Sequence, residues 1–83
     1  MEREILENGY EVIEKDENIN GGEFSVVLGM TDKNGSRQYA VWTYRGTDTS
    51  TTFSGDYYNH IWDAAQRYLI RIKKEWDASA FKK

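Results

Sequence analysis

The chain has no cysteine, no proline and one histidine among its 83 residues. Without cysteine there is no disulfide, no thiolate metal ligand and no thiol nucleophile. One histidine excludes a multi-histidine metal centre within a single chain. No apolar run approaches the roughly 18 residues that a membrane span needs. The N-terminus is acidic, where a secretory signal is basic and then apolar. The expectation is a soluble, cytoplasmic protein with no cofactor and no membrane partner.

Catalytic patterns are also missing. Ser54 precedes Gly55, but no Gly-x-Ser-x-Gly elbow surrounds it, and Gly21-Gly22 is followed by neither a lysine nor a helix. His60, Asp56 and Asp63 lie close in sequence. Asp63 suits the first turn of a helix, and a histidine beside a cap is ordinary, so the trio does not argue for a metal or an acid–base pair. The reading is not an enzyme, with no catalytic residue assigned.

What is present is aromatic and unevenly charged. Fourteen per cent of residues are Phe, Trp or Tyr, which argues against disorder although 30% are charged. The net charge of -3 divides into -7 over residues 1–32, +1 over 33–59 and +3 over 60–83. The length allows one domain, and at this size folding buries only about 60% of the surface the unfolded chain exposes.

Asn8-Gly9, Asn20-Gly21-Gly22 and Asn34-Gly35 punctuate the first half. Between and after them, β-branched and aromatic residues predict strands over 10–16, 23–31, 37–45 and 52–58. Residues 1–8 read as one helical turn or a disordered start, and Gly46–Thr52 as a polar loop. Asn59 suits a helix cap, and the period then changes to 3.6 over 60–78. Ile61, Trp62, Ala65, Tyr68, Leu69, Ile72 and Trp76 project onto an arc of about 120°, the width of a buried stripe. Phe81-Lys82-Lys83 reads as a frayed end. The predicted fold is α+β, a four-stranded antiparallel β-meander with one C-terminal helix packed on one face.

Asn34-Gly35 suits a type I′ turn, which needs positive φ at both central residues. Paired residue numbers in that hairpin then sum to 69. Met30, Leu28, Val26 and Phe24 share a face with Tyr39, Val41, Thr43 and Arg45, the expected core. Val27, Trp42, Ser25 and Tyr44 fall on the other face. One helix covers one side of a sheet, so Trp42 and Tyr44 would form an exposed aromatic patch and bind a protein partner or a second copy. The rival readings are that the loop or the N-terminal lead folds over Trp42, or that the faces are swapped and Trp42 is core. The sequence leaves these open.

The helix carries other candidates. Ile70 lies opposite the buried arc and could touch another chain. Arg67, Arg71 and Lys74 form a basic stripe, the basis of an alternative nucleic-acid-binding reading that the acidic total disfavours. A third reading is a DNA mimic built from Glu2, Glu4, Glu7, Glu11, Glu14, Asp16 and Glu17, which requires these acids on one face.

In order, Gly9-Tyr10-Glu11-Val12-Ile13, Val27-Leu28-Gly29, Tyr39-Ala40-Val41-Trp42, Ser54-Gly55-Asp56-Tyr57-Tyr58, Ala64-Ala65 and Arg71 resemble a group of small uncharacterised proteins of Firmicutes phages, plasmids and integrative elements. Where such proteins often have histidine after the glycine, this chain has Asp56. The resemblance implies a mobile-element accessory protein, a setting in which small acidic proteins often bind and block host machinery. It implies no activity.

Overall fold

The computed structural model describes residues 4–33 and 35–81. They form β1 (Glu11–Asp16), a 3-10 turn at Ile19–Gly21, β2 (Phe24–Lys33), β3 (Ser36–Arg45), β4 (Asp48–Tyr58) and α1 (Ile61–Phe81). The strands make one antiparallel sheet in the order β1-β2-β3-β4, and the helix packs on one of its faces. This is the α+β meander expected from the pattern. The β2–β3 register sums to 69 throughout, from Phe24 opposite Arg45 to Lys33 opposite Ser36. Asn34, which would share the turn, lies outside the described residues, as do Glu2, Lys82 and Lys83.

Two expectations about segments change. Gly46–Thr52 is not a loop. Gly46-Thr47 is a two-residue turn, and β4 begins at Asp48 opposite Arg45. The run 48–52 has no apolar residue because it is a bulged edge. Asp48 accepts from the Ser50 amide at 3.0 Å, and Thr51 Oγ1 accepts from the Arg45 amide at 3.1 Å, so side chains replace ladder bonds. A second irregularity at Ser54, with φ of 56°, restores pairing at Asp56 opposite Val41.

The lead is neither helical nor unstructured from Glu4 on. It folds back on β1: Ile5 bridges Glu11, the Leu6 amide donates to the Tyr10 carbonyl at 2.8 Å, and the Val12 amide donates to the Glu4 carbonyl at 2.8 Å. Leu6 and Tyr10 are thereby buried across the sheet face that the helix does not reach.

The sheet therefore has two cores. Under the helix, Val26, Leu28 and Val41, which the register placed on this face, pack with Ile19, Ala64 and Tyr68. On the opposite face Val27, Ala40, Trp42 and Tyr44 pack beneath Leu6, Tyr10 and Val12. Buried Ser25 ties the framework together, donating to the Gly46 carbonyl and accepting from the Asn18 amide at 2.8 Å.

Candidate docking surface

The structure closes the face on which Trp42 and Tyr44 were expected to be open. Val27 and Tyr44 are fully buried and Trp42 is 4% exposed. Tyr10 and Tyr57 meet the Trp42 ring edge-on, with centroids 4.8 and 6.0 Å away. Gly55 lies against the indole, and a Cβ there would collide with it. The Tyr44 hydroxyl donates to Glu17 at 3.1 Å, and Lys15 joins Glu17 to Glu4 with ion pairs of 3.7 and 2.7 Å. Burial, and after it Glu17, pushes the Tyr44 phenol well above the usual tyrosine range. The physical reason for the correction is local. A seven-residue lead with one leucine and one tyrosine suffices to cap a face whose centre is Trp42.

The exposed apolar surface is on the helix instead. At about 100° per residue, Trp62, Leu69 and Trp76 span about 40° of arc and form a row. They are 70%, 63% and 54% exposed. The expected buried arc is thus rotated. Tyr68 is buried, Ala65 and Ile72 are half-buried, and Ile61 joins the row residues in being exposed. The buried centre shifts to Ala64 and Tyr68, because Arg71 on the far flank is drawn to the sheet. Its guanidinium donates to Thr43 Oγ1 at 2.8 Å, to Asp56 at 2.8 Å and to the Ser54 carbonyl. Ala64 has no side chain long enough to hold the helix off. On the C-terminal side, Ser79 donates to the Ile19 carbonyl at 3.2 Å and Asn20 donates to the Trp76 carbonyl at 3.3 Å. The sequence pattern places Trp62, Leu69 and Trp76 in the buried arc, and their seven-residue spacing is the signal that sets them apart as a row. What was missed is that Asp56 on β4 would claim Arg71 and turn the helix.

That same turn removes most of the basic stripe. Arg71 has a side chain only 13% exposed, and Arg67 sits 3.6 Å from Asp56 while donating to the Tyr58 hydroxyl at 3.1 Å. Two of the three cations are matched to one carboxylate, leaving Lys74 unpaired among the described residues. Ile70, 55% exposed as expected, borders the shallow groove beside these groups. Asp56 is thus an internal ion-pair partner, while His60 is exposed at the helix start.

The acids do not share a face. Glu4 and Glu17 lie around Lys15, with Glu17 reaching Tyr44. Glu11, Glu14 and Asp16 pair in register with Met30, Leu28 and Val26, the helix side of the sheet. Arg71 ties the opposite flank of the helix to Asp56 on β4, so the row faces the β1 side of the sheet. Burial pushes the Tyr68 phenol up to about 12, and Asp16 and Glu14 add to the rise. The Trp62–Leu69–Trp76 row therefore has an acidic border toward β1. Its outer border carries Gln66 and Lys73, and Lys73 is matched by Asp77 at 2.7 Å.

Comparison of the chain with protein-family models, curated proteins and solved structures finds no match. Among the described residues, no helix is long and apolar enough to cross a membrane.

Proposed function

We propose that this chain is a protein-binding module acting through the helix row Trp62, Leu69 and Trp76. The observation that carries the reading is the exposure of two tryptophans and a leucine in one line on a 21-residue helix. Soluble domains leave single apolar residues exposed at little consequence, but an aligned aromatic row marks an interaction surface. Tryptophan is also enriched among residues that dominate binding energy. The nucleic-acid reading has less support, since Asp56 holds Arg67 and Arg71. The DNA-mimic reading has less still, because its acids divide between two faces. A mobile-element accessory role fits a module whose work is to occupy another protein's surface, and rests on the short motifs alone.

The test is affinity capture from lysate with the wild type and a Trp62→Ala/Leu69→Ala/Trp76→Ala variant, both shown folded by circular dichroism. A protein retained by the wild type and lost by the variant is the expected result. Equal retention of every captured protein by the two would overturn the assignment to this row.

A further inference from the structure

Resting on that reading, we infer that the occupant of the Trp62–Leu69–Trp76 row is a basic amphipathic helix of a partner protein. Two observations set its chemistry. The row repeats every seven residues over 14 positions, about 21 Å of helix, which is the periodicity a second helix presents along a shared seam. Its β1-side border is anionic. Glu11, Glu14 and Asp16 stand on the helix side of the edge strand, and none is in an ion pair among the described residues. On the other border Lys73 is already matched by Asp77. A helix with an apolar seam and lysines or arginines along one side satisfies both borders.

A second copy satisfies only the seam. A two-fold axis through Leu69 sets Trp62 against Trp76 of the other copy, which is good apolar matching. The same axis brings the two β1-side borders together. Glu14 and Asp16 of each copy, which act on Tyr68 next to the centre of the row, then face their own kind. Like charges juxtaposed at an interface oppose association. A strand added to the β1 edge is disfavoured too, because the lead already takes part of it through the Val12–Glu4 and Ile5–Glu11 contacts.

The probe is a fluorescent leucine–lysine amphipathic peptide of about 18 residues, with a leucine–glutamate peptide of the same pattern as control. Anisotropy should show binding of the lysine peptide, weakened by salt, and at least about tenfold weaker binding of the glutamate peptide. Leu69→Ala and the pair Glu14→Gln/Asp16→Asn should each weaken the lysine peptide by about tenfold, and only the charge pair should flatten the salt dependence. No binding of the lysine peptide, equal binding of both peptides, or indifference to the charge pair would overturn the inference. If the lysine peptide fails while sedimentation shows a dimer that Leu69→Ala dissociates, the row still docks a protein and the basic helix is wrong. If the row substitutions change neither binding nor sedimentation, the docking surface itself is wrong.

Discussion

The two faces of this sheet are covered by very different means. On one, a short lead without helix or strand of its own closes over Val27, Trp42 and Tyr44. On the other, a 21-residue helix covers Val26, Leu28 and Val41 but leaves Trp62, Leu69 and Trp76 outside. The smaller cover seals its face, and the larger one carries more apolar surface than the sheet can take up. Residues that finish the fold are therefore separable from residues that the fold leaves exposed. The surplus is on the helix.

The largest effect that would sharpen this contrast belongs to the sealed face. Trp42→Ala removes the group on which Tyr10, Tyr57 and Gly55 converge and should cost about 3–5 kcal/mol. In a domain whose whole stability is of order 5–15 kcal/mol, that leaves little margin. Leu6→Ala should follow at about 2–4 kcal/mol if the lead is a true core element. Urea titration followed by circular dichroism measures both. A Leu6→Ala midpoint equal to wild type would mean that the lead rests on the face without sealing it.

The fold beneath this contrast could be read in the sequence, and the contrast itself could not, for physical reasons. The hairpin register followed from one Asn-Gly step because side chains alternate with period two, so one correct turn places twenty residues on their faces. The four strands and the helix followed from periodicity. Which faces were open did not, because that depends on contacts distant in sequence. Leu6 and Tyr10 cover Trp42 from more than thirty positions away. Asp56, fifteen residues before Arg71, rotates the helix so that the arc centred near Ala65 is not the one buried. Periodicity shows that a helix has an apolar stripe about 120° wide. It does not show which third of that stripe the sheet can reach.

A smaller effect is expected in base, and it compares the two cores directly. Each holds a buried tyrosine whose phenol is raised above its usual value near 10. Burial is the first cause for both Tyr44 under the lead and Tyr68 under the helix. The fold favours the neutral phenol, so this contribution is fully present below pH about 10. It is lost as pH rises toward the folded value, about 12 for Tyr68. Urea midpoints should hold between pH 8 and about 10 and fall above that, and Tyr68→Phe should reduce the fall. A Tyr68→Phe protein with the wild-type alkaline profile would remove the helix-side core from this account.

The smallest effect is the one on which the comparison turns. Trp62→Ala and Leu69→Ala should change stability by no more than about 0.5 kcal/mol, the range of surface substitutions away from special features. These side chains are among the largest apolar groups on the helix, yet they are 70% and 63% exposed, so truncation opens no cavity. Substitutions of the same chemical size thus diverge, Trp42→Ala by several kcal/mol and Trp62→Ala by almost none. Thermal melts of the two variants in parallel decide the matter. If Trp62→Ala or Leu69→Ala destabilises by about 2 kcal/mol or more, the row is core and the helix has no surplus. If the melts match wild type, the fold does not need Trp62 or Leu69, as the proposed docking row requires.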